Sequence, residues 1–248
     1  MQISLDSKVA VVTGASSGIG TAIARQFVEC GARVVITGRK QDTIEQAAER
    51  IGPNCLGLAA DVSNRADMER LAAIIRERFG RLDVVVANAA VGANARLGEI
   101  TEEKFSKVIG TNLLGVVHTV QVALPLMKPG GSVILIGSTA SHEAPVSMSV
   151  YGAAKAGLGA FTKTWIKDLQ GSGIRINTIS PGAIDTPSLR EALGAVSDES
   201  RIQTLAAKSP LGRIGSIDEV ANVVTFFASD FTSYINGTEL YVDGGLKV

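Results

Sequence analysis

The chain has 248 residues, 46% of them hydrophobic, enough for one α/β domain with a sizeable core. Lysine plus arginine equals aspartate plus glutamate at 24 each, so no net field draws nucleic acid or an anionic membrane. Two histidines and two isolated cysteines, Cys30 and Cys55, have no metal-ligand spacing; no metal is expected, and both cysteines read as small buried hydrophobes. Asp6 and Lys8 precede the first apolar run, unlike a secretory leader, and no apolar stretch is expected to reach membrane-spanning length. A reduced cytoplasmic setting is the expectation.

In chain order, strands are predicted at Val9–Thr13, Arg33–Thr37, Cys55–Ala59, Leu82–Ala87, Ser132–Ile136, Ile174–Ile179 and Glu239–Val242. Helices are predicted between them at Ile19–Glu29, Thr43–Ile51, Ala66–Phe79, Glu102–Met127, Val150–Leu169 and Ile217–Ala228. Strands apolar on both faces and separated by helices imply one parallel seven-stranded sheet covered on both sides, a single domain over residues 1–248. Ser63 and Thr101 are N-cap candidates, Ser216 with Glu219 forms a capping box, and Gly31 and Gly80 follow helices as C-caps. Residues 183–215 break the rhythm: no strand, Pro187, Pro210 and several glycines follow a strand's C-terminal end. Ligands bind at that end in open α/β sheets, so this insert is expected to be a substrate lid.

The first strand runs into Thr13-Gly14-Ala15-Ser16-Ser17-Gly18-Ile19-Gly20 and then a helix. Three glycines permit a tight turn and close backbone approach, and a helix N-terminus attracts pyrophosphate, so dinucleotide binding is expected here. The second strand ends on Gly38, Arg39 and Lys40. No carboxylate awaits a ribose hydroxyl, and a guanidinium is available to a 2′-phosphate, which favours NADP(H) over NAD(H). Further on, Ser138 closes the fifth strand, and Tyr151 and Lys155 stand four apart on one helix face. A free tyrosine is a poor base at neutral pH; a fixed ammonium beside it would favour the phenolate and allow proton exchange with an alcohol or ketone. The pair by itself also fits a solvated helix.

Together these motifs resemble the short-chain dehydrogenase/reductase family over essentially the whole chain: T-G-x-x-x-G-x-G at 13–20, Asn112, Ser138, Tyr151-x-x-x-Lys155, and P-G-x-I-x-T at 181–186. The resemblance implies a doubly wound Rossmann fold and hydride transfer between a nicotinamide and a ketone or secondary alcohol. Tyr151 would be the acid/base, Lys155 would lower its pKa and hold the nicotinamide ribose, Ser138 would orient the carbonyl, and Asn112 would hold a water. Cofactor contacts would come from Gly14, Ser16, Ser17, Gly18, Ile19, Gly20, Arg39, Asp61, Val62, Asn88, Pro181, Gly182, Ile184 and Thr186. The family usually reads N-N-A-G after the fourth strand; here Ala87-Asn88-Ala89-Ala90 places a methyl where a glycine is usual. A homotetramer is implied by the resemblance as well.

Within that reading the substrate is a small carbonyl or alcohol, or alternatively a 3-oxoacyl group on an acyl-carrier protein, for which Lys104, Lys107, Lys163 and Lys167 would be the basic surface. A non-catalytic NADP(H)-binding regulator is the alternative of another class, disfavoured by an intact Asn-Ser-Tyr-Lys set. Ser138, His142 and Glu143 do not read as a hydrolase triad, because no G-x-S-x-G elbow accompanies them. His142 fits either the substrate pocket or the surface, and His118 a satisfied core or interface position.

Overall fold

A computed structural model describes residues 3–194 and 199–247. Seven parallel strands form one sheet in the order β3-β2-β1-β4-β5-β6-β7. They are β1 (Val9–Val12), β2 (Arg33–Gly38), β3 (Cys55–Ala59), β4 (Leu82–Ala87), β5 (Met127–Ile136), β6 (Arg175–Pro181) and β7 (Glu239–Val242). The order reverses at β1, which lies between β2 and β4, so the crevice for a ligand opens at the strands' C-terminal ends there.

Alternation along each strand sorts side chains into two cores. Ala10 and Val12 of β1 join the layer under α1 (Gly18–Glu29), α2 (Gln41–Ile51) and α10 (Ile217–Ala228), with Phe27, Ile44 and Val224 at its heart. Val9 and Val11 face the other layer, under α3 (Arg65–Phe79), α5 (Gly115–Ala123) and α7 (Ser149–Asp168), with Met68, Val120 and Leu158. Burying a side chain such as Phe27 stabilises the fold by roughly 2–3 kcal/mol. Helix ends follow local chemistry: Thr101 caps α4 (Glu102–Ile109), Ser216 and Glu219 form the capping box of α10, and Gly80 ends α3 at φ 69°.

Three expectations are corrected. Asn64, not Ser63, caps α3, its Oδ1 accepting from Ala66 and Asp67 N–H groups; the Ser63 hydroxyl instead donates to Asp61 Oδ1 at 2.6 Å. The predicted helix 102–127 is not uniform, and Met127 already belongs to β5. A π-turn at Gly110–Leu114 separates α4 from α5, and a 3₁₀ turn at Leu124–Leu126 follows. The run Glu102–Leu126 is also long and apolar enough to cross a membrane by length and composition; half of its apolar window is buried inside the protein.

The insert at 183–215 is more ordered than a loop. It carries α8 (Pro187–Leu193) and α9 (Glu199–Ala206), and residues 195–198 of it lie outside the described residues. Its two ends are pinned together: Asp185 N–H donates to Gly215 O at 2.8 Å, and Gly215 N–H to Ala183 O at 2.9 Å.

Candidate active site

The glycine-rich turn is shaped by contacts that only glycine allows. Gly14 and Gly18 sit at φ 65° and 61°, and a Cβ on Gly14 would stand 2.6 Å from Ala89 Cα. Ser17 occupies the N-cap of α1 in extended conformation without a side-chain cap bond, and the first turn carries no acidic residue. The N–H groups that open α1 at Gly18, Ile19 and Gly20 therefore keep their donors and the helix's positive end for an anion. Asn88, expected among the cofactor contacts, braces this turn from below: its amide donates to Thr13 O at 2.9 Å and Gly14 O at 3.0 Å. Ala90, where a glycine is usual, is exposed and does not need positive φ, so its methyl is accommodated.

Around the turn lie the remaining predicted contacts. Gly38 ends β2 beside Ser16, whose Cβ is 3.6 Å from where a Gly38 Cβ would project. Arg39 and Lys40 follow, both exposed and without an ion pair. Asp61 Oδ1 accepts from the Ser63 N–H at 2.9 Å, fixing the turn after β3. Val62 is buried, and its carbonyl lies 3.0 Å from Nδ1 of the half-buried His118. Pro181 ends β6, its carbonyl accepting from Thr139 N–H at 3.0 Å. Gly182 is obligatory, since a Cβ would come within 2.9 Å of Asp243 Cα. Ile184 is buried, and Thr186 lies against Gly18, its Cγ2 3.6 Å from where a Cβ would stand. Thr186 Oγ1 accepts from Leu189 N–H at 3.1 Å to cap α8, leaving its proton to donate toward the groove.

Ser138, Tyr151 and Lys155 come together at the C-terminal end of β5. Ser138 follows β5 by two residues, and its Oγ accepts from Ala140 N–H at 3.2 Å. Tyr151 is the third residue of α7, with the Ser138 side chain beside its hydroxyl. Lys155 is only 3% exposed, and its Nζ donates to Ile136 O at 2.6 Å, 5.8 Å from the Tyr151 ring centroid. Burial lowers the Lys155 ammonium to about 8. Burial likewise pushes the Tyr151 hydroxyl above its usual value, with the Ser138 bond pulling it back in part. This differs from the expectation of a tyrosine pKa lowered by lysine: the ammonium is turned to a backbone carbonyl, so desolvation dominates.

Asn112 is fully buried in the π-turn, where such turns commonly mark functional positions. Its Oδ1 accepts from Val91 N–H at 2.8 Å and its Nδ2 donates to Val91 O at 2.9 Å. Both side-chain groups hold the loop after β4. Sequence reading missed this role of Val91, as it missed Thr13, whose Oγ1 accepts from the Asn88 and Ala89 N–H groups. It missed Tyr241 too. His142 Nε2 lies 2.7 Å from Tyr241 Oη, tying it to β7.

A bare helix N-terminus after β1, an insert pinned at both ends and a buried Ser-Tyr-Lys group are thus gathered at the C-terminal edge of the sheet. The protein-family model described as "Enoyl-(Acyl carrier protein) reductase" matches residues 14–247. "Oxidoreductase asL5" of Sarocladium schorii is 42% identical over 244 residues, spanning 98% of this chain and 96% of that one. The 3-oxoacyl-[acyl-carrier-protein] reductase FabG of Escherichia coli is 36% identical over 246 residues, 98% of this chain and 99% of that one. A crystal structure from Brucella melitensis, titled a short-chain dehydrogenase/reductase SDR:Glucose/ribitol dehydrogenase, superposes with a TM-score of 0.94 at 30% identity, covering 100% of both chains. The chain belongs to the short-chain dehydrogenase/reductase family, and is an oxidoreductase of that nicotinamide-using class.

Proposed function

We propose that this protein is an NADP(H)-dependent reductase of ketones, running the reverse oxidation of secondary alcohols when conditions favour it. The observation that carries the reading is the convergence of Ser138, Tyr151 and a buried Lys155 beside the bare N-terminus of α1. When bound, the nicotinamide supplies the hydride. Tyr151, held protonated by burial, is the acid that delivers its proton to the carbonyl oxygen. Ser138 donates a hydrogen bond to the same oxygen and orients it. The Lys155 cation, now held on Ile136 O, would stabilise the phenolate left behind and would bind the nicotinamide ribose. The described helices of the insert, α8 and α9, would exclude water over the groove.

Cofactor choice rests on Gly38 and Arg39. Loss of a charge-assisted bond from Arg39 to a 2′-phosphate would cost about 1.5–3 kcal/mol, roughly ten- to a hundredfold in NADPH affinity. NADH affinity would barely change. Gly38→Asp with Arg39→Leu supplies an acceptor for a free ribose hydroxyl and repels the phosphate, so the double variant is expected to prefer NADH. A Cβ at 38 would stand 3.3 Å from Ile44 Cδ1, the flexible end of a side chain that can yield. The measurement is kcat/KM for both cofactors across a panel of ketones and 3-oxoesters. A wild type preferring NADH, or a double variant still preferring NADPH, would defeat the assignment.

A second reading, reduction of a 3-oxoacyl group on an acyl-carrier protein, draws support from the names of several relatives. The geometry favours only half of its basic surface. Lys163 and Lys167 lie about 18 and 24 Å from Tyr151 along α7, counted at the helical rise, at the opposite end of the sheet. Lys104 and Lys107 on α4 remain at the site's end. Activity on the carrier-bound substrate far above that on a free 3-oxoester would favour this reading.

We also propose a homotetramer. Phe105 and Leu114 are 49% and 45% exposed along α4 and the π-turn, and Leu240 is 39% exposed on the open edge strand β7. Tyr234 stands fully exposed near that edge. Light scattering at micromolar concentration is expected to give four times the chain mass of 25.7 kDa; a monomer would rule it out.

A further inference from the structure

The catalytic-side loop is not held only by its own strand. Directly after Ser138 the chain makes one helical turn, α6 (Ala140–Glu143), and that turn fixes the serine from two sides. Ala140 N–H donates to Ser138 Oγ at 3.2 Å, and the Ser141 hydroxyl donates to Ser138 O at 2.7 Å. Gly152 of α7, next to Tyr151, packs on the same turn so closely that a Cβ there would lie 2.9 Å from Ala140 O. The third residue of the turn, His142, reaches to the far edge of the sheet. Its Nε2 is 2.7 Å from Tyr241 Oη on β7, with the two rings edge to face at 5.6 Å.

Tyr241 is in turn clamped by the chain's last described residue. Lys247 Nζ donates to Tyr241 Oη at 2.6 Å and lies 3.8 Å from the ring centroid, while Lys247 N–H donates to Asp243 Oδ2 at 2.9 Å. An ammonium can only donate, so the Tyr241 hydroxyl proton is free to point at an unprotonated His142 Nε2. Glu239, which accepts from Ser180 Oγ at 2.7 Å, closes the cluster with Oε2 at 3.9 Å from His142 Nε2. The result is a continuous polar path from the C-terminal tail through β7 to the turn that aims Ser138.

We propose that Tyr241 and His142 are positioning residues for the carbonyl-reduction chemistry: through α6 they hold Ser138 at the geometry in which its hydroxyl meets both Tyr151 and the substrate oxygen. This rests on the function proposed above. Small displacements of an orienting group lower turnover without altering cofactor affinity. The contact is partly solvated, so its loss is felt as a moderate effect and not as abolition.

The test compares Tyr241→Phe, His142→Leu, their double variant and His142→Gln with wild type. It reads kcat, NADPH dissociation constant, melting temperature, and hydrogen exchange of the peptide covering residues 138–148. Tyr241→Phe keeps the ring and its packing. It is expected to lower kcat roughly three- to tenfold, leave NADPH affinity within twofold, and speed exchange at 140–143. His142→Leu should do the same, and the double variant should cost no more than either single change, the sign of one shared path. His142→Gln retains a side-chain group that can bond Tyr241 Oη and is expected to recover at least half of the loss. Unchanged kcat overturns the proposal, whether exchange at 140–143 speeds up or not, as does a lower melting temperature alone. Additive losses in the double variant also overturn it. A wild type that reduces no carbonyl in the panel sinks the functional reading instead; the anchor is then judged by exchange alone, and unaltered exchange at 140–143 overturns it.

Discussion

Tyr151→Phe is expected to lower ketone reduction by about a thousandfold while NADPH affinity stays within a few fold, the scale of a lost general acid. The substitution removes one oxygen. The ring continues to fill its place at the start of α7, and the helix has no other stake in the hydroxyl, whose partner is Ser138. Because burial raises the Tyr151 hydroxyl above its ordinary value, the residue is protonated across the physiological range and suited to donate in the reduction direction. No neighbour replaces it. Lys155 is held on Ile136 O, and Ser138 as an aliphatic alcohol is far too weak an acid to protonate an alkoxide. Steady-state kinetics with a fixed ketone and a fluorescence titration of NADPH measure the two quantities. A variant that keeps a tenth of wild-type turnover would remove Tyr151 from the acid's role.

Lys155→Met is the second large effect, and its two readouts move in opposite directions. Activity should collapse, since Lys155 is the one cation in the buried group and the Ser138 hydroxyl offsets the burial of Tyr151 only in part. Stability at pH 7 should rise. Burial holds the Lys155 ammonium at about 8, below the 10.5 of a free lysine, so the unfolded chain binds this proton more tightly than the folded one. Below about pH 8 the folded protein therefore carries a penalty, which is relieved as the pH rises from about 8 towards 10.5. The penalty is on the order of 3 kcal/mol at neutral pH. Methionine removes it but leaves the Ile136 carbonyl without its donor, a cost of about 1–2 kcal/mol. The net gain is roughly 1–2 kcal/mol, or about 2–8 °C in melting temperature for a chain of this length. Thermal melts of both proteins at pH 7 and pH 10 should show the gap at the lower pH and its loss or reversal at the higher. A variant less stable at pH 7, by an amount that does not vary with pH, would show that Lys155 carries no charge penalty.

These two residues also separate what local sequence carries from what folding adds. Tyr151 and Lys155 share a helix face because they are four apart, and that spacing needs no tertiary information. The direction of their pKa values was not readable, because it depends on how much water the finished fold removes from each and on Ile136 O meeting the ammonium. The same division holds along the chain. Short apolar runs, capping residues and the glycine turn are local signals, so the alternation of strands and helices and the seven-stranded parallel sheet were legible, with most ends displaced by a residue or two and β5 starting earlier than expected, at Met127 and not Ser132. The π-turn at Asn112 was not: its helix pattern continues unbroken through it, and the distortion exists where the buried Asn112 amide meets Val91, 21 residues away in sequence, as Gly115 packs against Val62.

Short-range spacing was enough to suggest the family and to single out the glycine-rich turn and the Ser138, Tyr151 and Lys155 positions. Only the tertiary structure decided what supports that group. Asn88 bracing Thr13 and Gly14, the bridge that pins residues 183 and 215, and His142 meeting Tyr241 join positions 32 to 99 residues apart. Tyr241 has no periodic or motif signal of its own, and the motif that marks Asn88 does not say what its amide holds. Their partners are chosen by the order in which seven strands lie side by side, and that order is a property of the packed sheet.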